Sequence, residues 1–515
     1  MMRLIGQLFT AFALVFLPPG LFAAGKAAHV VVIVWDGMRP DSVSTETTPN
    51  LFRLAQEGVT FKHHHPAYIT TTEVNGTALA TGDYPAQSGV IGNNEFRPAI
   101  SATDKFMTAD LAPVRKGDEA TGNHYLAVPT LAESLHEHGM RTIVAGAKPV
   151  VLLQDRAPRQ EGALGTTVFE GRSLPESLSE RLSRELGKFP GPGITKTYCD
   201  DWTTEALTGP LWKQGVPPFS LLWLSEPDYS QHGAGPGSAV ARAAIRGSDK
   251  NLARVLAALR EKGLSDETDI IVVSDHGFST VIGRADVAAV LQQNGLRARR
   301  RLAAPGGEDG DILVVSNGGS ALIYVIGHNE KLITQAVHCL QAQAFCGVVF
   351  TQKPVEGTFT LAEGKINAPS APDIVVSLRW QPDQNANGTP GLLWCEEAAY
   401  RPGQGTHGSL SPYDLHNTCI AAGPDFRKGM SDELPSGNVD IAPTVMWILG
   451  VKLNQKFSGR VLSEALVGGG AGPAAKSHHL EATWRGNEFV WHQYLDSSEV
   501  GETRYLDAGN GEQTP

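Results

Sequence analysis

The sequence Val30-Val-Val-Ile-Val-Trp35, followed directly by Asp36-Gly37, is a continuous apolar run that ends in an acidic residue. Such runs are buried strands, usually of a parallel sheet that is covered on both faces. Similar segments recur and alternate with helical patterns: strands at 141–145, 219–224 and 269–273, and helices at 49–57, 128–138 and 249–261. This alternation predicts an α/β fold with a central, mostly parallel sheet and helices on both faces.

The stretch 285–400 has a different pattern, with short strands around a single helix at 330–343. It predicts a small α+β insertion that caps the main sheet. The catalytic core would then comprise 29–284 and 401–465. We expect residues 466–515 to form a Gly-rich link and a C-terminal hairpin, because GGGAGPAA at 468–475 precedes an alternating, aromatic-rich end.

The chain of 515 residues carries 43 basic and 54 acidic residues, a formal charge of −11, and 41% of its residues are hydrophobic. These values are typical of a large globular protein. The acidic balance argues against binding to a nucleic-acid scaffold, because such binding depends on clustered basic residues. A small phosphate ester held through metal ions stays compatible with it.

The N-terminal residues predict export. A short basic start precedes an apolar stretch that ends in small residues, so 1–25 is interpreted as a secretory signal peptide. An uncleaved anchor fits less well, because Pro18-Pro19-Gly20 interrupts the stretch. We therefore expect a periplasmic or secreted protein without a stable membrane anchor.

Export permits disulfides, but the chain has five cysteines, an odd number. Cys339 and Cys346 are close enough in sequence to pair, and Cys395 with Cys419 is a second possible pair. None has the spacing of a metal finger, so we expect structural or inert cysteines.

Acidic residues and histidines cluster in four places, each after a predicted strand or in a loop that rejoins the core: Asp36, Glu226-Pro-Asp228-x-x-x-His232, Asp275-His276-Gly277 and Gly405-Thr-His407-Gly408. Ligands of open α/β sheets bind at the carboxyl ends of strands, so these segments can converge. Taken singly, each could be a helix cap, a surface turn or a core histidine. Together they supply three Asp and three His, a set that suits two zinc ions better than magnesium or calcium.

Thr72 is the candidate nucleophile. It lies in Thr70-Thr-Thr-Glu-Val-Asn-Gly76, at a predicted entry from a loop into a helix. A hydroxyl there meets backbone N–H groups and the positive helix end, and a bound metal makes it easier to ionise. The alternative is a threonine that only caps the helix.

These residues resemble the alkaline phosphatase superfamily, most closely its nucleotide pyrophosphatase/phosphodiesterase branch. The resemblance covers most of 29–460 and rests on motifs in the family's order: Thr48-Pro-Asn50, Thr81-Gly82-x-x-Pro85, Ala422-Gly-Pro-Asp-Phe426, Thr72 and the four Asp/His clusters. It implies double displacement through a phosphothreonine at Thr72.

The resemblance also implies roles for individual residues. One zinc would be held by Asp228, His232 and His407. The other would be held by Asp36, Asp275, His276 and the Thr72 oxygen. Asn93 matches the family's asparagine that hydrogen-bonds a non-bridging phosphoryl oxygen.

The chain departs from the branch beside the nucleophile, where Glu73-Val-Asn-Gly76 replaces Phe-Pro-Asn-His, and at Ser88-Gly-Val90, which replaces His-Gly-Ile. These changes lie beside the substrate, so the preferred leaving group stays an open question. Lys148 and Arg156 are possible donors to the extra phosphoryl charge of a monoester, so a phosphomonoesterase is the alternative function. A zinc-dependent binding protein without catalysis fits less well, because no ligand or nucleophile is missing.

Other histidines are expected outside the site. His63-His64-His65 could hold a further metal but falls on a short strand, which favours a solvated edge. The physiological substrate, the oligomeric state and the metal identity in the cell are not determined by the sequence.

Overall fold

The computed structural model describes residues 25–156, 164–191, 193–396, 398–452 and 456–515. Its centre is a nine-stranded sheet. In spatial order the strands are Met430–Gly437, Val59–His65, Cys419–Ala422, Thr268–Val273, His29–Trp35, Phe219–Leu224, Thr142–Gly146, Gly165–Phe169 and Arg172–Leu174. Five of the eight neighbouring pairs are parallel and three are antiparallel, so the predicted mostly parallel α/β sheet is confirmed.

Helices cover both faces of this sheet, and its central strand is therefore buried on both sides. Val30, Val32 and Val34 pack in one apolar cluster with the helices Thr72–Thr81, Leu131–Glu137 and Ile441–Ile448. The alternate residues of the strand pack in a second cluster with the helices Pro49–Glu57, Ser177–Leu186, Thr197–Ala206 and Ala239–Glu261. Successive side chains of a strand point to opposite faces, and an uninterrupted apolar run fills both.

The register of the central strands brings the acidic clusters to one edge. His29–Trp35 pairs in parallel with Phe219–Leu224 on one side and with Thr268–Val273 on the other. The carboxyl ends of the three strands therefore meet at one edge of the sheet. The chain continues there into Asp36, into the helix Asp228–Ala234 and into Asp275.

The stretch 285–400, predicted to be an α+β insertion, contains a six-stranded sheet. Its strands, in spatial order, are Arg297–Arg299, Asp311–Asn317, Ser320–Val325, Ile374–Leu378, Cys346–Thr351 and Phe359–Thr360, and it packs with the helices Val287–Gln293 and Glu330–Gln341. A four-stranded sheet mixes Trp380–Gln384 and Pro390–Cys395 with Ser279–Arg284 and Gly405–Thr406. The ends of the insertion thus share a sheet with the core, and its boundaries at 285 and 400 stay a prediction.

The C-terminal part forms three antiparallel strands, Ala475–Arg485, Val490–Val500 and Thr503–Thr514. The sequence predicted a hairpin, which has two strands, and the structure has a third strand. The last strand contains Asp507-Ala-Gly-Asn-Gly511 and lacks the apolar alternation that marks a strand in sequence. Leu495 and Leu506 of this sheet belong to an apolar cluster that contains Leu313, Leu322 and Phe350 of the insertion.

The remaining helices are short or peripheral. They are Pro85–Ser88, Leu111–Thr121 and Pro412–Leu415, the π-helix Leu207–Leu211 and the single 3-10 turns Pro40–Ser42, Pro149–Leu153, Ser265–Glu267, Asn438–Asp440 and Ser463–Ala465. A two-stranded sheet pairs Asn94–Glu95 with Phe106–Met107. The described residues include no helix with the length and apolar content needed to cross a bilayer. The predicted signal peptide lies outside the described residues except for Gly25.

Neither possible cysteine pair forms a disulfide in the structure, where Cys395 and Cys419 lie in different sheets and Cys346 is enclosed in the core of the insertion. The expectation of a solvated histidine tract was wrong. His64 and His65 are buried, and only His63 of that tract is exposed. The strand Val59–His65 is an interior strand of the nine-stranded sheet, which is why its end is not solvated.

Candidate active site

Three aspartates at the carboxyl edge share one arrangement, in which one carboxylate oxygen contacts protein donors and the other has no hydrogen-bond partner. Asp36 Oδ2 accepts from Trp223 Nε1 at 2.8 Å, and Asp275 Oδ1 accepts from the Gly37 N–H at 2.9 Å. The other oxygens, Asp36 Oδ1, Asp228 Oδ1 and Asp275 Oδ2, are buried and unpartnered among the described residues. An unpaired buried carboxylate oxygen is costly, so three of them together indicate a missing positive partner.

Three histidines have a matching arrangement. The Nδ1 atoms of His232, His276 and His407 lie 2.9, 2.8 and 2.8 Å from the carbonyl oxygens of Gly405, Gly277 and Thr70. A carbonyl oxygen can only accept, so each Nδ1 carries a proton, and a neutral ring in this orientation has its lone pair on Nε2. This is the orientation in which histidines bind metals, with the second nitrogen held by a hydrogen bond.

The Nε2 atoms face the unpartnered oxygens. His276 Nε2 lies 3.6 Å from Asp36 Oδ1 and 3.3 Å from Asp275 Oδ2. His232 Nε2 and His407 Nε2 lie 3.1 and 3.5 Å from Asp228 Oδ1. Ligand atoms approach within 4.8 Å in two sets that share one histidine: Asp36, Asp275 and His276, and Asp228, His276 and His407. His276 therefore belongs to both sets, whereas the resemblance in sequence assigned it to a single zinc ion.

Thr72 opens toward this cluster. It is the first residue of the helix Thr72–Thr81, and its Oγ1 lies 3.3 Å from His276 Nε2. The preceding Thr71 is the N-cap residue but makes no side-chain cap hydrogen bond. The threonine run therefore does not serve as the helix cap that the alternative interpretation required.

Burial shapes the charges of these groups. It raises the pKa of Asp36, with the neighbouring Asp275 adding to the effect, and it raises the pKa of Asp275 to about 7. Burial also lowers the pKa values of His276 and His407 to about 3, so both imidazoles are neutral. Buried carboxylates that repel each other beside neutral imidazoles gain stability from a bound cation.

Lys148 lies at the centre of the site. Its Nζ donates to Asp36 Oδ2 at 2.8 Å and to Asp228 Oδ2 at 2.7 Å, so it bridges the two metal-ligand sets. Burial opposes the charged amine, but Asp228 and Asp36 outweigh it and raise the pKa of Lys148. The same contact lowers the pKa of Asp228 despite its burial. Lys148 uses the Oδ2 atoms, which leaves the Oδ1 atoms to a metal.

The structure does not bring Arg156 to the cluster. Its Nε and one terminal nitrogen lie 2.9 and 2.8 Å from the two carboxylate oxygens of Glu133, and the other terminal nitrogen donates to the Leu126 carbonyl. The guanidinium is therefore occupied by its own ion pair, which the sequence interpretation of Arg156 as a phosphoryl donor did not foresee.

Asn93 lies beside the nucleophile. Its Oδ1 accepts from the Glu73 N–H at 3.0 Å, in the first turn of the Thr72 helix. The Nδ2 end of the amide is then the end left to donate. Glu73 is itself buried, which raises its pKa to about 7, and its Oε2 has no partner among the described residues.

Several supporting residues were not identified from the sequence. Trp223 fixes Asp36, the Thr70 carbonyl fixes His407, and Asn438 Nδ2 donates to the Asp275 carbonyl at 2.7 Å. Trp223 lies in a predicted strand and Thr70 in the quoted threonine run, but neither position carries a local signal of these contacts. Asn438 is distant in sequence from every motif.

Fold and site together define an α/β protein with a buried donor set for divalent metal ions and a threonine hydroxyl directed at it. The model of the type I phosphodiesterase / nucleotide pyrophosphatase family matches residues 30–409. The chain belongs to this family.

Individual relatives agree with this assignment. The human ectonucleotide pyrophosphatase/phosphodiesterase family member 7 is 24% identical over 268 residues, 51% of this chain and 50% of the relative. Alkaline phosphatase PhoD of Zymomonas mobilis is 24% identical over 292 residues, 46% of this chain and 50% of the relative. The chain thus spans about half the length of these relatives. The structure of an inactive variant of murine ectonucleotide pyrophosphatase/phosphodiesterase 5 in complex with AMP has the same fold, with a TM-score of 0.56, 17% identity, and coverage of 85% of this chain and 100% of that one.

Proposed function

We propose that this chain is an exported phosphoric ester hydrolase with two zinc ions, a phosphodiesterase or nucleotide pyrophosphatase that acts through a phosphothreonine at Thr72. One observation carries the proposal. The Thr72 hydroxyl, at a helix N-terminus, lies 3.3 Å from His276 Nε2, the atom that both ligand sets share. A nucleophile beside metal ligands and backbone N–H groups is suited to phosphoryl transfer.

Each residue has a distinct role in this proposal. Asp228, His232 and His407 hold one zinc ion, and Asp36, Asp275, His276 and the Thr72 oxygen hold the other. Two such ions, when bound, stabilise the attacking and the leaving oxygen of an in-line displacement. Thr72 Oγ1 gives up its proton and forms a bond to phosphorus while the bond to the leaving alkoxide breaks, and the alkoxide takes up a proton. Water then attacks phosphorus and breaks its bond to Thr72 Oγ1, which regains a proton as the phosphate product leaves. Asn93 Nδ2 donates to a non-bridging phosphoryl oxygen.

The family and the complex of the related murine protein with AMP support a proposal for the substrate class. We infer a small phosphate diester or pyrophosphate, with nucleotides as the first candidates. The insertion at 285–400 and the loops at 94–127 and 155–200 would select among leaving groups. We propose a periplasmic or secreted location from the apolar N-terminus, to be tested by N-terminal sequencing of the exported protein.

A phosphomonoesterase is the second candidate, and Lys148 is the observation that favours it. Two of the three Nζ donors contact Asp36 and Asp228, which leaves one for a phosphoryl oxygen. A monoester carries one more negative charge than a diester, so a third N–H at the site would favour it. The similarity to alkaline phosphatase PhoD points in the same direction.

The test compares kcat/KM for bis-p-nitrophenyl phosphate and p-nitrophenyl phosphate on the zinc-loaded protein. A diester preference supports the phosphodiesterase, and a monoester preference transfers the proposal to the second candidate. Bound zinc without turnover of either ester would indicate a binding protein instead.

Thr72→Ala tests the nucleophile. We expect it to abolish turnover and to leave zinc content largely intact. Thr71→Ala is the matched control, because Thr71 is the neighbouring buried threonine and its hydroxyl has no hydrogen-bond partner among the residues that the structure describes. Turnover retained by Thr72→Ala, or an equal loss in both variants, would remove Thr72 from the mechanism.

A further inference from the structure

A second group of metal-ligand side chains, His65, His416 and Asp507, shares no residue with the candidate active site. One ligand atom from each lies within 4.8 Å of the others. His65 ends the core strand Val59–His65, His416 follows the short helix Pro412–Leu415, and Asp507 belongs to the C-terminal strand Thr503–Thr514. Three segments that are remote in sequence therefore meet at one point.

The hydrogen bonds of the two histidines decide where their protons are. His65 Nδ1 lies 2.9 Å from the Ser436 carbonyl oxygen, and His416 Nδ1 lies 2.9 Å from the Pro412 carbonyl oxygen. Both acceptors can only accept, so both Nδ1 atoms are protonated. A neutral ring in this orientation has its lone pair on Nε2, and the two rings are adjacent, with centroids 4.6 Å apart.

Asp507 completes the arrangement. Its Oδ2 accepts from Ser498 Oγ at 2.7 Å, while its Oδ1 lies 2.9 Å from His65 Nε2. Apart from that contact, His65 Nε2 is buried without a hydrogen-bond partner in the described part of the chain. A lone pair on this nitrogen beside a carboxylate oxygen is unfavourable unless a proton or a metal cation lies between them.

The group repeats the design of the candidate active site. Each imidazole is held by a backbone carbonyl through Nδ1, and the carboxylate uses one oxygen for a protein donor and directs the other inward. Two imidazoles and one carboxylate suit zinc. The Asp507 side chain is 27% exposed, so water can reach a fourth coordination position.

We propose that His65 Nε2, His416 Nε2 and Asp507 Oδ1 bind a further zinc ion, separate from the catalytic pair. This ion ties the C-terminal sheet to the nine-stranded sheet. It also holds the segment around His416, in which Asp414 accepts from Ser279 Oγ and Ser409 Oγ at 2.6 Å each. Its role is structural, because the group contains no nucleophile.

The test measures zinc per chain by elemental analysis of the full, zinc-saturated and desalted protein. We expect about three ions per chain, and one fewer in Asp507→Asn and in His416→Gln. His63→Ala is the matched control, because His63 is in the same histidine tract but is 51% exposed. It should leave the zinc content unchanged. An unchanged content in both ligand variants would overturn the proposal and leave a His65–Asp507 ion pair without metal.

A second measurement separates this site from the catalytic one and does not depend on Asp507→Asn folding. The double variant His276→Ala, His407→Ala removes ligands of both active-site sets. It should retain one zinc ion per chain, and cobalt in its place should give the visible absorption of a four-coordinate site. Loss of all metal in the double variant would overturn the proposal. Ester turnover enters neither readout, so failure of the proposed activity would leave both interpretable.

Discussion

Replacing Lys148 by methionine separates two roles of this lysine. The ammonium either orients the ligand carboxylates or contacts the phosphoryl group of the substrate. In the structure its Nζ donates to Oδ2 of Asp36 and of Asp228, at 2.8 and 2.7 Å. We expect the first role, because two of the three donors are used by these carboxylates. Methionine keeps an unbranched apolar side chain that is one atom shorter, and it removes the charge and the donors.

The expected magnitude follows from these two hydrogen bonds. A hydrogen bond to a charged group contributes about 1.5–3 kcal/mol. Bound zinc offsets part of the charge that Lys148→Met leaves on Asp36 and Asp228, so we expect a loss of transition-state stabilisation equal to roughly one such bond. This corresponds to about a 10- to 150-fold lower kcat/KM. Because the effect acts through the ligands, a diester and a monoester should lose activity by the same factor.

The assay is kcat/KM for bis-p-nitrophenyl phosphate and p-nitrophenyl phosphate at saturating zinc, with metal content measured in parallel. Arg156→Met is the matched control, because Arg156 is a second partly buried cation that contacts Glu133 and not the cluster. It should leave kcat/KM within about twofold, the range of substitutions outside an active site. A loss confined to the monoester would refute the orienting role and favour the phosphomonoesterase. No loss with either ester would refute any role of Lys148.

Three further predictions concern Asn93, the metals and Asp269. Asn93→Ala should lower kcat for the diester by about 100-fold or more, as expected for a lost donor to a phosphoryl oxygen, with circular dichroism unchanged; an unchanged kcat would contradict this role. Chelation should lower the midpoint of thermal unfolding and abolish turnover, both restored by zinc. Burial raises the pKa of Asp269 to about 8, and the nearby Asp425 adds to the shift. Between about pH 4 and 8 this carboxyl is protonated in the folded protein but ionised in the unfolded chain. The free energy of unfolding therefore falls as the pH rises through this range. Asp269→Asn should therefore be more stable than the parent at pH 8 but not at pH 4, and urea unfolding at both pH values would show it.

The sequence by itself determined the fold class and the composition of the site. The apolar run Val30–Trp35 is typical of a strand buried on both faces, and the alternation of strands and helices after it predicts a covered sheet. Asp36 directly follows its strand and Asp275 lies two positions after the end of its strand, so their position at the carboxyl edge is a local property of the chain. The helix Pro49–Glu57 was likewise predictable at both ends, because Pro49 and Gly58 are local start and stop signals.

Only the tertiary structure decided the contacts between remote segments. The sequence offers Lys148 and Arg156 equally as possible donors to a phosphoryl group. In the structure Lys148 bridges Asp36 and Asp228, whereas Arg156 pairs with Glu133. The sequence also did not separate the exposed His63 from His65, whose partner Asp507 is 442 positions away by their numbers, 507 − 65. Hydrogen bonds and ion pairs depend on distances of a few ångströms between side chains, and no local pattern of residues encodes those distances when the partners come from different strands and loops.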